Sequence, residues 1–406
     1  MKLLLFGAGA SIPFYPTLNT NYLTKQIGNW ENWKRIIELY NQNSTFKIDY
    51  TQILPLLKSI KSNTPDANFE EICGYIDSIT DILTDLENKS NDKYDKITNT
   101  LLKCKIINLS LSPISNIKYL PYLFRCLIID TFLNVERSKN YCKLITLQEK
   151  FIKTFTATSK NSSIVSLNYD NILNETIGTI FYNGYDKKQP GFMPFSCSSF
   201  FQADKTISYL HGNIKFYYTL SDIKYSFEKT FNTKERIEML LTQKYLSEQY
   251  LPTNIENHSY NVFITTGIEK NISMDYLPYS IYYTKFAADI CKSSSIISIG
   301  YSFRDQHVNR ILSSFLNMKR KNRIIIVDYN ESNNISLNDF YSEGNILYEI
   351  YRVFLCQIPT NNHQEFININ TKGYGFVTDQ ILYYKLGYEF FLNEYNNIFK
   401  YFNSGK

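Results

Sequence analysis

Paired cysteines are missing from this sequence. Its seven thiols, Cys73, Cys104, Cys126, Cys142, Cys197, Cys291 and Cys356, stand singly, with no Cys-x-x-Cys among them. That spacing excludes an ordinary four-cysteine zinc ribbon. An odd, dispersed set fits reduced thiols in a cytoplasmic protein. Long apolar runs are missing too. No window approaches the ~20 apolar residues of a membrane span. The apolar start, Leu3 to Phe6, is shorter than the roughly 7–15 residues of a secretory leader. A soluble, intracellular chain with no membrane contact is therefore expected. An excess of one charge is also lacking: 43 Lys and Arg against 38 Asp and Glu give +5. That balance argues neither for nor against nucleic acid. No carboxylates cluster with metal-site spacing, so direct nuclease action is not expected. Direct nucleic-acid binding is not expected either.

What the chain does have is material for real cores, with 44% apolar residues in 406. That length suits one large domain or two ordinary ones. Its opening, "MKLLLFGAGASIPFYPTLNT", reads as a short strand, Lys2 to Phe6, running into Gly7-Ala8-Gly9-Ala10-Ser11. A strand that ends in a glycine turn and feeds a helix begins many nucleotide-binding α/β domains. Glycines let the backbone approach a pyrophosphate, and a helix N-terminus offers free N–H groups to it. A plain strand-to-helix connection is the other reading. The third glycine of the dehydrogenase fingerprint is absent, since Ile12 stands there. No Gly-Lys-Ser/Thr follows either, which excludes a P-loop.

The next segment, "NYLTKQIGNWENWKRIIELYNQ", reads as helix. So do "ANFEEICGYIDSITDILTDLE", with Phe69, Ile72, Cys73, Ile76, Ile79, Leu83 and Leu86 on one stripe, "LPYLFRCLIIDTFLNV" and "LITLQEKFIKTF". Residues 44–159 form a helical module inserted into an α/β domain made of 1–43 and 160–360. Strands are expected at Ser163–Leu167, in "KTISYLHGN", in "YNVFITTG", in "SSSIISIG" and in "KNRIIIVDYNES", with a helix in "TKERIEMLLTQKYLSEQYL". Strands alternating with helices imply an α/β, Rossmann-like fold with a mostly parallel sheet flanked by helices. Residues 361–406 read as a C-terminal helical tail, its aromatic stretch "LYYKLGYEFFLNEYNNIFKYF" belonging to a core or a subunit interface. Ligands of such sheets bind at the carboxyl ends of the strands. Gly7 to Ser11, Asn168 to Asn171, His211-Gly212, Gly300 to Asp305 and Asp328 to Asn330 all fall there.

The blocks "LLLFGAGAS", "SLNYDN", "YLHGN" and "SIGYSFRDQHVNRIL" occur in the order of the sirtuin NAD-binding core. The chain resembles the bacterial sirtuin-like NADases of antiphage defence more than the protein deacylases. The resemblance implies a glycine loop for the NAD pyrophosphate at Gly7, Ala8, Gly9, Ala10 and Ser11. It implies a catalytic turn at Asn168 and Asp170, and a catalytic histidine at His211. Gly300 and Ser302 would lie near the adenosine side, and Asp328 and Asn330 would meet the adenine ribose. Deacylases of the family carry a four-cysteine zinc module after the histidine. Here Gly212 to Tyr260 hold no cysteine, and the opening loop lacks the deacylases' acidic-Phe-Arg run. Water then becomes the acceptor, and no zinc is expected. The resemblance implies an NAD+ glycohydrolase that drains NAD on infection. Similar stand-alone chains form homo-oligomeric rings with a HerA-like DNA-translocating ATPase. An NAD- or ADP-ribose-binding assembly subunit without strong turnover is the other function in view.

Each candidate has a plainer role beside it. His211 could be an ordinary strand-end histidine. Asn168 could cap a helix beginning near Asp170, and Asp170 could be an N-cap itself. Arg304 and Asp305 could pair on the surface, or Asp305 could cap the next helix. His307 is read as structural, and Glu70 and Glu71 as solvated. His258 and His363 lie in polar loops and receive no role.

Overall fold

The computed structural model describes residues 1–43, 47–88, 120–185, 195–218, 223–225, 277–332, 334–354 and 363–404. Strands β1 (Lys2–Phe6), β2 (Ser162–Ser166), β3 (Lys205–Tyr209), β6 (Ser295–Ile299), β7 (Arg323–Val327), β8 (Tyr374–Thr378) and β9 (Ile381–Tyr384) build one sheet, and β4 (Phe216–Tyr218) pairs with β5 (Ile223–Tyr225) apart from it. The main sheet runs β3-β2-β1-β6-β7-β9-β8. All its pairs are parallel except β8 with β9. Strands buried on both faces are near-continuous apolar runs, and Leu3, Leu4 and Leu5 with Ile296, Ile297, Ile324, Ile325 and Ile326 are buried accordingly. This is an α/β, Rossmann-like fold. The chain leaves β1 for β2 on one side and returns to β6 on the other. The switch point at the carboxyl ends of β1 and β6 is where such folds hold ligands.

The glycine turn after β1 packs on the turn after β6, backbone against backbone. Gly7 N–H donates to the Ile299 carbonyl and Gly9 N–H to the Gly300 carbonyl, each at 2.9 Å. A Cβ on Gly7 would stand 2.6 Å from that Gly300 oxygen, and one on Gly9 would stand 2.9 Å from the Gly300 Cα. Gly300 itself has φ of +61°, a conformation that side chains disfavour. The turn feeds only a 3₁₀ turn at Ala8–Ala10. The expected helix begins later, at Thr20, where Asn19 accepts from the Tyr22 N–H. It then breaks at Gly28, giving two helices, Thr20–Ile27 and Trp30–Asn43.

Helices Tyr50–Asn63, Phe69–Asn88, Leu120–Asn134 and Tyr141–Ala157 follow. Leu120–Asn134 is buried at every position from Leu120 to Thr131, as an all-round apolar helix at the centre of a bundle must be. Its Arg125 meets Asp77 through two bonds of 3.1 Å, which keeps that buried charge paired. The helices Thr20–Ile27, Trp30–Asn43 and Phe69–Asn88 pack around it.

The last segment departs from the helical tail expected at 361–406. After helix His363–Lys372, β8 and β9 join the sheet, and only Tyr388–Ser404 is the expected aromatic helix. Gly373 (φ +85°) and Gly387 (φ +84°) bracket the two strands. The aromatic helix belongs to the core: Tyr388, Phe391, Tyr395 and Phe399 surround Phe151. The helix expected in "TKERIEMLLTQKYLSEQYL" and the strand expected in "YNVFITTG" lie outside the described residues.

Candidate active site

Asn168 lies just past β2, and its side chain turns back toward the glycine loop. Its Nδ2 donates to the Gly7 carbonyl and to Ser11 Oγ, each at 2.9 Å. Ser11 Oγ in turn donates to Asp170 Oδ2. A carbonyl can only accept, and the Ser11 proton is spent on Asp170, so the amide nitrogen must face both. That fixes Oδ1 as the remaining acceptor. Asn168 Oδ1 is buried and, among the described residues, has no hydrogen-bond partner. An orphaned buried acceptor is costly unless something donates to it. Asn168 therefore does not cap the helix Ile172–Ile177.

Asp170 is buried, with both oxygens engaged: Oδ2 by Ser11 and Oδ1 by the Ile172 N–H at 2.9 Å. Burial raises its carboxyl above the usual range, while the bonds from Ser11 and Ile172 pull it back. Its position makes it the brace that holds Ser11, and through Ser11 the amide of Asn168.

A cavity of about 240 Å³ opens here. Ala8, Ser11, Asn168, Asp170 and Ser302 line it, together with Glu70 and Arg304. Phe69, Phe132 and Tyr169 give it flat apolar walls. Its size is just under the roughly 300–1,000 Å³ of ordinary ligand pockets, which suits one end of a dinucleotide. Gly7, Gly9, Ala10 and Gly300 form the seat beneath it. The N–H groups of Gly7, Gly9, Ala10 and Ser11 bond the carbonyls of Ile299, Gly300, Gly7 and Ala8, so the glycines serve close packing.

His211 is not among the lining residues. It is buried behind Tyr169, with ring centroids 6.4 Å apart. Its Nε2 lies 2.9 Å from Asp305 Oδ2. Asp305 Oδ1 accepts from the N–H groups of His307 and Val308, so the same carboxylate caps helix Gln306–Leu312. The histidine turn is pinned to the Asn168–Asn171 turn, since Ile214 N–H donates to the Tyr169 carbonyl at 2.8 Å. Asp328 and Asn330 lie apart from the cavity lining. Their N–H groups bond Tyr384 and Lys385 of the β9 segment, and burial pushes the Asp328 carboxyl up to about 6.

Three features are not visible in the sequence. Asp305 pairs with His211, where only a surface pair with Arg304 or a helix cap was in view. Arg304 lines the cavity instead. Glu70, read as solvated, is half-buried on the cavity wall, and only Glu71 of that pair is exposed. The helix-cap signal at Asp305 was legible. Glu70 carried no signal, because it reaches the site from a helix a hundred positions before Asn168.

Among the described residues, no group of three or more His, Cys, Asp or Glu forms a metal site, and no helix is long and apolar enough to cross a membrane. No curated protein matches the chain. The family model of the SIR2-like domain matches residues 162–348. That stretch contains the turns at Asn168, His211, Gly300 and Asp328 but not the Gly7–Ser11 loop. Residues 162–348 are thus similar to a SIR2-like domain, which supports a sirtuin-like family and NAD-related activity.

Proposed function

We propose that the chain is an NAD+ glycohydrolase, cleaving the nicotinamide–ribose bond to give nicotinamide and ADP-ribose. The observation that carries this reading is Asn168 Oδ1, an oriented acceptor with no partner among the described residues, on a cavity at the sheet's switch point. Nicotinamide leaves as a neutral base, because the electron pair of the broken bond moves onto the ring nitrogen. No general acid is needed for it, unlike the two-carboxylate glycosidases. Positive charge appears on the ribose, and water attacks its anomeric carbon.

Asn168 Oδ1 accepts from the attacking water or a ribose hydroxyl and so orients it. The Asp305 carboxylate takes the Nε2–H of His211 and leaves the Nδ1 lone pair open. Since His211 does not line the cavity, the proton that the attacking water gives up reaches it through a bridging water. In cells the reading is that of an NAD-depleting antiphage effector. It would work as a homo-oligomer with a HerA-like ATPase partner, as the resemblance implies. Nicotinamide release from NAD+ by the purified chain, alone and with its partner, tests it. Asn168→Ala and His211→Ala should each abolish release while the protein stays folded. Full activity in both variants removes these residues from the mechanism.

One observation favours a second reading. His211 is set behind Tyr169 rather than on the cavity. An assembly subunit that holds NAD or ADP-ribose without turning it over would need no base there. Dinucleotide binding with no nicotinamide release, with and without partner, would establish that reading.

A further inference from the structure

Glu70 reaches the cavity from helix Phe69–Asn88, at its first turn. Capping of that helix does not require it. Asn68 Oδ1 accepts from the Glu70 and Glu71 N–H groups, and Glu71 returns a bond to the Asn68 N–H at 2.8 Å. Glu71 thus completes the capping box, and the Glu70 carboxylate sits on the cavity wall. Beside it stand Phe69, Phe132 and Tyr169. Phe132 and Tyr169 meet edge to face at 5.9 Å, and the Tyr169 hydroxyl donates to Glu70 Oε1 at 3.4 Å. Among the described lining residues the single cationic side chain is Arg304, on the turn after β6.

Oxidised NAD carries charges of both signs, a cationic nicotinamide ring and an anionic diphosphate. The reduced form has the same diphosphate and a neutral ring. Apolar ring faces take either ring. A carboxylate tells them apart, and more sharply in a half-buried wall than in water. Aromatic faces add to the preference for a cation.

Resting on the NAD reading above, we propose that Glu70 is a specificity residue that selects the positively charged, oxidised nicotinamide ring, with Arg304 taking the diphosphate. The charge Glu70 recognises is the one the reaction removes from the ring. Once the bond breaks and its electron pair lies on the ring nitrogen, nicotinamide is neutral and the attraction ends. The attraction is thus strongest before the bond breaks, so loss of Glu70 should raise KM and raise kcat with it, leaving kcat/KM nearly unchanged.

The test titrates the full chain with two probes: the carbocyclic NAD+ analogue, which keeps the cationic ring but is not hydrolysed, and NADH. Glu70→Gln should lower the preference for the analogue over NADH by roughly ten-fold, which is about 1.4 kcal/mol. NADH affinity should stay at its original value, which also reports an intact fold. Glu70→Asp should retain most of the preference. An unchanged preference in Glu70→Gln, or equal weakening of both ligands, overturns the inference. A chain that prefers the analogue through Glu70 yet releases no nicotinamide from NAD+ overturns the hydrolase reading and leaves ring selection standing. A chain that binds neither probe overturns both.

Discussion

Nε2 of His211 lies 2.9 Å from Oδ2 of Asp305, and Oδ1 of the same aspartate holds the first N–H groups of helix Gln306–Leu312. The two residues follow β3 and β6, strands on either side of β1. One carboxylate therefore fixes both a helix start and an imidazole. Asp305→Asn keeps an excellent helix cap but replaces the carboxylate that holds His211 Nε2 with an amide. Nicotinamide release should fall by about 10²-fold or more, with little change in melting temperature. Asp305→Ala should lose the same activity and, in addition, about 1 kcal/mol of stability. Release assays and thermal melts on both variants check this. A wild-type rate in Asp305→Asn would take the pair out of the mechanism.

Ser11 and Asp170 hold Asn168 in place, since Ser11 Oγ accepts from its amide and donates to Asp170 Oδ2. Ser11→Ala should lower kcat and leave KM nearly unchanged, because the amide loses one of its two anchors. Asn168→Asp sets a carboxylate oxygen against the Gly7 carbonyl, acceptor against acceptor. It should cost about 1–3 kcal/mol of stability besides activity. Steady-state kinetics and denaturant melts separate the two effects.

Asp328 should make stability depend on pH. Burial raises its carboxyl from the model-compound value of 3.8 to about 6. The folded chain then binds that proton more tightly than the unfolded chain does. Its contribution is fully present below the unfolded value and is lost as pH rises through about 6. The loss is at most about 3 kcal/mol. Asp328→Asn should be more stable than the original chain at neutral pH, with the difference vanishing toward pH ~3.5. Melting curves across that range decide it, and parallel pH profiles would contradict the assignment.

Gly300→Ala should be severely destabilising. The position has φ of +61°, and its Cα side faces the Gly9 and Ala10 backbone. Backbone strain and overlap with main-chain atoms act together, for a loss of about 3 kcal/mol or more. The loss should appear as a lower denaturation midpoint even without ligand.

The sheet was legible because its strands are short apolar runs ending in turn residues. Lys2–Phe6 stands as expected, and β2 is displaced by one residue from Ser163–Leu167. The two last strands were hidden because Leu382, Tyr383 and Tyr384 also continue the aromatic spacing of the helix after them. Only Gly387 marks the break. In the site, Ala8, Ser11, Asn168, Asp170 and Ser302 come together on one cavity. His211 stands one ring behind it, and Asp328 and Asn330 stand at β7, outside its lining. Strand ends indicate that residues share an edge of the sheet, but not which way each side chain turns. Glu70 and the His211–Asp305 pair depend on contacts between elements about a hundred residues apart, which no local pattern encodes.

β1 occupies the centre of the sheet, between β2 and β6. Its register with β6 joins Lys2–Phe6 to Ser295–Ile299. During synthesis β1 waits for this second neighbour while nearly three hundred further residues are made. Such distant pairing makes folding slow, and it leaves an apolar edge open to wrong partners in the interval. The seat of Gly9 on Gly300 forms only after that wait. The cavity above that seat therefore cannot take shape until β6 has followed β1.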